Sequence, residues 1–141
     1  MKLEGEVRIP SGCAISAVIS REGKRMTGES IIHSMIPMHD RSNGLGGGFA
    51  AYGIYPEYRE LYAFHIFFDD NTTRRECESI LKEGFEIVQA ETIPIRIIPE
   101  ITDVPLIWRY FVSPLHSVLA RLQLDEKEFV VRTVMRLNTE I

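Results

Sequence analysis

The sequence predicts an α+β fold, and three observations carry that prediction. Short apolar runs bounded by turn residues alternate with segments of helical spacing. From Tyr62 onward the order reads strand, helix, strand, strand, helix. That is the β-α-β-β-α part of a ferredoxin-like split unit, without its last strand. Finally, 45% apolar residues in a chain of 141 are enough for a buried core.

Residues 1–12 are of mixed polarity, and Pro10, Ser11 and Gly12 punctuate their end. Ser11-Gly12-Cys13 resembles a lipoprotein cleavage site. Glu4, Glu6 and Arg8 interrupt any hydrophobic segment before it, which argues against a signal peptide. Residues 13–20, CAISAVIS, form a short apolar run that reads as a buried strand opening at Cys13. Thr27 is placed to cap a helix in which Ile31, Ile32, Met35 and Met38 recur at helical spacing. Pro37 should kink or end it.

Residues 42–48, SNGLGGG, contain four glycines and must be a loop. Phe49 to Tyr55 then reads as a strand closed by Pro56. Tyr62 to Phe68 is a stronger one. Thr73 and Glu76 have capping-box spacing for a helix that Gly84 ends. Phe85 to Val88 and Ile93 to Ile98 read as strands around Pro94, and Leu106 to Val112 as another. In the last of these, Trp108 and Tyr110 share one face and Phe111 takes the other, an arrangement suited to core packing. Asp125 and Glu128 make a second capping box, opening a helix through Phe129, Val130, Val134 and Leu137.

Composition excludes several functions. Net charge is −4 and the basic residues are scattered among acids, unlike a nucleic-acid binder. No apolar run is long enough to span a bilayer, so a cytoplasmic location is expected. Cys13 and Cys77 are not in a Cys-x-x-Cys pair, and the four histidines lack partners at ligand spacing, so no metal is expected. Residues 46–51 satisfy G-x-G-x-x-A, but a helix precedes them and a strand follows, the reverse of the dinucleotide-binding order. No cofactor is predicted.

Cys13 is a candidate nucleophile. A cysteine nucleophile needs a base, and a chain beginning at Cys13 would supply its own α-amino group, with a pKa of roughly 7.7–8.0. Removal of residues 1–12 would be required. Taken locally, the residue also reads as an inert core cysteine.

Together, Cys13-Ala14-Ile15, residues 39–53 (HDRSNGLGGGFAAYG), residues 101–111 (ITDVPLIWRYF) and Asn138-Thr139-Glu140-Ile141 resemble one family. It is the class II glutamine amidotransferase, or glutaminase, domain of archaeal-type glutamate synthase. The resemblance runs from Cys13 to the last residue and is most specific over 39–56. It implies an N-terminal-nucleophile fold, an α/β/β/α sandwich of which residues 13–141 are a part, with 62–141 as the ferredoxin-like subregion and 1–12 as a leader or propeptide. It further implies a thiolate that releases ammonia from glutamine. Carried over by position, Cys13 is the nucleophile, and Arg41, Asn43 and Gly44 contact the substrate. Ala14 and Ser42 stand where the family has glycine. The family's glutamine-holding Gly-His-x-Arg-like motif and its oxyanion-hole Asn and Gly lie in later segments. The resemblance therefore implies a partner: a separately encoded remainder of the domain, or other glutamate synthase subunits. A homo-oligomer is the further possibility, since an unpaired sheet edge invites pairing. The alternative function is a non-catalytic oligomeric binding or regulatory module.

Overall fold

The computed structural model describes residues 13–41, 48–99 and 102–141, with the side chains of 39–41 excepted. The chain divides into two units, residues 1–52 and 53–141. Its described part is mixed α+β, with a three-stranded antiparallel sheet and four α-helices.

In the first unit, helix α1 spans Glu29–Met35 and passes into a 3₁₀ segment, Ile36–Arg41, at Pro37. The break fits the proline, which cannot donate the next helical hydrogen bond. Gly28 takes the N-cap position without a side-chain bond, while Thr27 donates instead to Glu29 at 3.4 Å. Residues 13–20 form no strand, contrary to expectation. Strand propensity needs a neighbouring strand to pair with, and the sheet is built entirely from residues of the second unit. Ile15 and Ile19 are 88% and 89% exposed. The expected strand from Phe49 to Tyr55 is likewise irregular, with Tyr52 fully exposed.

The second unit contains β1 (Tyr62–Phe68), α2 (Asn71–Gly84), β2 (Phe85–Thr92), β3 (Leu106–Pro114), α3 (His116–Leu122) and α4 (Glu126–Glu140). The strand order is β1-β3-β2, with β3 antiparallel to both neighbours. Strands β1 and β2 thus run parallel with β3 between them, a split β-α-β arrangement. Asp70, not Thr73, caps α2: one carboxylate oxygen accepts from the amides of Thr72 and Thr73 at 2.7 and 2.8 Å. These bonds, those from Thr73 first, hold the Asp70 carboxyl below the usual carboxylate range. Asp125 caps α4 as expected, accepting from Lys127 at 2.9 Å.

Strand β2 is one element, not two. It runs to Thr92 with a register shift between Ile87 and Gln89, and residues 93–98 are irregular. Its polar residues are tolerated because it is an edge strand, with side chains free to stand in water. Helix α3 has no side-chain cap, so the sequence carries no start signal for it.

Phe64, Phe68, Tyr110, Val112 and Phe85 face Cys77 and Leu81 of α2, Val118 of α3, and Phe129, Val130 and Leu137 of α4. This is the expected helix-side core, and Trp108 and Tyr110 join it. Gly84 ends α2 where the Phe129 ring lies against it: a Cβ there would sit 2.4 Å from Phe129 Cζ. Phe129 in turn stacks on Phe85 with ring centroids 5.0 Å apart. Gly84→Ala should therefore cost about 1–3 kcal/mol through overpacking. Adding Phe129→Leu should recover part of that loss. Chemical denaturation of both variants and the double mutant checks the coupling.

Candidate functional site

The resemblance places its chemistry in the first unit. Cys13 is exposed there, not the first residue of a buried strand. Its sulfur has no hydrogen-bond partner among the described residues. The stretch that follows Cys13 meets α1 through one polar contact, the hydroxyls of Ser16 and Ser34 lying 2.6 Å apart. Ser34 is held as well by the carbonyl of Ile31 at 2.7 Å. Arg41 closes the 3₁₀ segment, while its side chain and the whole of Asn43 and Gly44 lie outside the described residues. Cys77 is the opposite of Cys13: it is fully buried, and desolvation pushes its thiol up to about 11. A thiol so placed is inert near neutral pH.

The second unit holds a polar cluster that sequence reasoning missed. His65, Arg109 and Glu91 form one row across the three strands, because Arg109 pairs in register with both of the others. Arg109 binds the Glu91 carboxylate through Nε, at 3.0 Å, and through its second terminal nitrogen. Its first terminal nitrogen donates to the Tyr55 hydroxyl at 2.8 Å. That hydroxyl lies 3.1 Å from His65 Nε2. Arg109 can only donate, so the Tyr55 hydroxyl accepts from it and keeps its own proton available for the imidazole. Partial desolvation of the ring, and secondarily the Arg109 cation, lower the His65 pKa from its ordinary 6.5.

Aromatic rings close the cluster from the same side. Tyr58 stacks on Phe111 at 3.9 Å, and Tyr55 meets Phe111 edge-on at 5.0 Å. Phe111 therefore lies on the face opposite Trp108 and Tyr110, as strand alternation predicts, yet is only 1% exposed. The Arg109 guanidinium sits 4.6 Å from the Tyr55 ring centre. Chemically, the row is a short hydrogen-bonded chain from a carboxylate to an imidazole, with no thiol in it. Its evident work is to clamp the turn Pro56–Tyr58 onto the sheet. Only the pairing register brings His65, Glu91 and Arg109 together. The legible signal was weaker: Arg109 and Phe111 alternate onto one face.

A cavity of about 320 Å³ lies among α2, α3 and α4. Phe85 and Phe129 line its apolar part, with Arg121, Arg132 and Arg136 also on its wall. Arg132 and Arg136 are already paired, with Glu128 and with Glu83 and Glu140. Among the described residues no cluster of His, Cys, Asp or Glu could hold a metal ion, and no helix is long and apolar enough to cross a membrane.

The chain is 44% identical over 131 residues to an uncharacterised protein of Archaeoglobus fulgidus. The match covers 92% of this chain and 34% of that protein, so the chain spans about a third of its relative's length. No family model matches the sequence, and no solved structure matches the fold.

The lowered pKa of His65 fixes the sign of its effect. Its contribution to stability is present above pH 6.5 and is lost as pH falls through the folded-state value. Arg109→Gln removes the neighbouring cation and should move the His65 pKa upward, toward that of a free imidazole. Titration of the imidazole proton resonances by NMR, in the native protein and the variant, reads this directly.

Proposed function

We propose that this chain is a portion of a class II glutamine amidotransferase related to glutamate synthase, with Cys13 as nucleophile. In this reaction the thiolate attacks the side-chain amide carbon of glutamine. The tetrahedral adduct collapses to a thioester, and the amide nitrogen leaves as ammonia after taking up a proton. Water then adds to the thioester, releasing glutamate and regenerating the thiol. A Cys13 α-amino group, exposed by removal of residues 1–12, would serve as the proton relay. Arg41, Asn43 and Gly44 would bind glutamine. Oxyanion donors, typically worth about 10²–10³ in rate, would come from polypeptide beyond these residues.

The observation that carries the reading is the residue match over 39–56, joined to the accessible thiol of Cys13. A second feature supports its dependence on further polypeptide. Between residues 13 and 54, Ile15, Val18, Ile19, Ile32, Ile36 and Phe49 are each at least half exposed, although their pattern is that of core residues. In the reading proposed, these side chains belong to the sandwich and are covered when the remaining layers are present. The split β-α-β unit would then be the ferredoxin-like subregion of that sandwich. The A. fulgidus protein has two thirds of its length outside the match, ample for those layers.

A second reading, a non-catalytic oligomeric module, is favoured by one observation: the Cys13 sulfur makes no hydrogen bond to a described residue that could act as its base.

Intact-mass analysis of protein from the native host, before and after treatment with diazo-oxo-norleucine, separates the two. The amidotransferase reading predicts a chain beginning at Cys13 that gains one adduct, absent from Cys13→Ser. An intact N-terminus with no adduct, in the presence of its native partners, contradicts it. Cys77 should stay unmodified in the folded protein either way.

A further inference from the structure

The cavity among α2, α3 and α4 joins an aromatic floor to a cationic wall. Its volume of about 320 Å³ lies at the small end of the range for small-molecule sites, roughly 300–1,000 Å³. Phe85 and Phe129, both buried, form the floor as a stacked pair. Phe129 can lie there because Gly84 has no Cβ to meet it. Leu122 and Leu124 add apolar wall from the end of α3 and the turn after it, and Leu122 is 46% exposed. Between them Gln123 takes left-handed backbone with φ 54°, a conformation disfavoured for a residue with a Cβ. That turn ends α3 and returns Leu124 to the helix, its amide donating to the Leu119 carbonyl at 3.3 Å. The inner wall needs no polar group from a ligand. Its buried hydroxyl, that of Thr133, already donates to the Phe129 carbonyl at 3.0 Å.

The charged side chains on the wall are three arginines and Glu83. Arg132 is paired with Glu128 at 2.7 Å, and Arg136 with Glu83 at 2.8 Å and Glu140 at 2.9 Å. Arg121 differs: its guanidinium has no ion pair or hydrogen bond among the described residues. A cation in the last turn of a helix is favourable by itself. Beside an aromatic floor it is also a ready anchor for an anion. Three guanidiniums against three carboxylates leave no surplus for a dianion. A single negative charge at Arg121 is what this wall accommodates, and a planar carboxylate matches the guanidinium fork through two parallel hydrogen bonds.

We propose that this cavity binds a small monocarboxylic acid with an aromatic or branched apolar body. The body lies on the Phe85–Phe129 floor and the carboxylate on Arg121. The proposal does not rest on the amidotransferase reading, since every residue on the wall belongs to the second unit. Glutamine, a zwitterion with a polar side chain, lacks the body that this floor selects.

Titration of the whole chain with phenylacetate, read from backbone amide resonances by NMR, tests the proposal. Saturable shifts are expected at Gly84, Phe85, Leu122 and Thr133. The neutral isostere phenylacetamide should bind about tenfold more weakly, through loss of the charge-assisted contact. Arg121→Gln should weaken the acid by a similar factor and leave the affinity for the amide unchanged. Arg121→Lys, which keeps the charge but not the fork, should fall between. Arg121 is exposed, so neither substitution touches the core, and far-UV circular dichroism should be unchanged. The proposal is overturned by the absence of saturable shifts, or by shifts centred on the exposed apolar residues of the first unit. It is also overturned by equal affinity for acid and amide, by acid binding that survives Arg121→Gln, or by displacement with glutamine. Failure of glutamine-analogue labelling bears on Cys13 alone, so the two readings fail separately.

Discussion

Tyr110 is fully buried at the middle of the central strand, so its hydroxyl has to find a hydrogen bond inside the protein. It donates to Glu78 of α2 at 3.0 Å. Glu78 is in turn ion-paired with Arg74, one turn earlier, and Arg74 lies 4.4 Å over the Trp108 ring. Desolvation first, and the Glu78 carboxylate second, push the phenol far above its ordinary pKa. This linkage fixes α2 against β3 in position and rotation. Once α2 is set, Cys77 and Leu81 point at the sheet, and the arrival of α4 against Gly84 and Phe85 follows. Removing the Glu78 carboxylate would deprive the buried Tyr110 hydroxyl of this partner, which costs more than the bond itself contributes.

The same strand sets the opposite face. Alternation sends Arg109 and Phe111 away from the helices, where no further layer among the described residues of the second unit covers them. Instead the turn carrying Tyr55 and Tyr58 folds over Phe111, and Arg109 ties that turn to Glu91 and His65. The second unit thus packs its sheet with its own residues, the helices on one face and this turn over Phe111 on the other. In the first unit, apolar residues stand in solvent.

Much of the second unit was legible in the sequence because its signals are local. Tyr62–Phe68 and Leu106–Val112 have strand composition, Asp125 is an N-cap with an acid three residues on, and Gly84 is a helix stop. Local signals also misled. Thr73 and Glu76 have capping-box spacing, yet Asp70 captures the cap because a carboxylate accepts two amide hydrogens at once. CAISAVIS has strand composition but no ladder to join. The row of His65, Arg109 and Glu91 depends on register between strands separated by tens of residues, which no local pattern encodes. Arg41, Asn43 and Gly44 stand differently: only resemblance offers them as substrate contacts, and the Arg41 side chain and the whole of Asn43 and Gly44 lie outside the described residues.

Limited proteolysis with a protease of broad specificity, followed by mass analysis of the surviving fragment, is the most direct test of the claim that the packed core lies in the second unit and not in the first. The account predicts early cleavage within residues 13–52 and a resistant core beginning near Gly53 and keeping β1, β2, β3 and the helices packed on them. Equal resistance of both units in the isolated chain would show that residues 13–52 are already covered, and would contradict it.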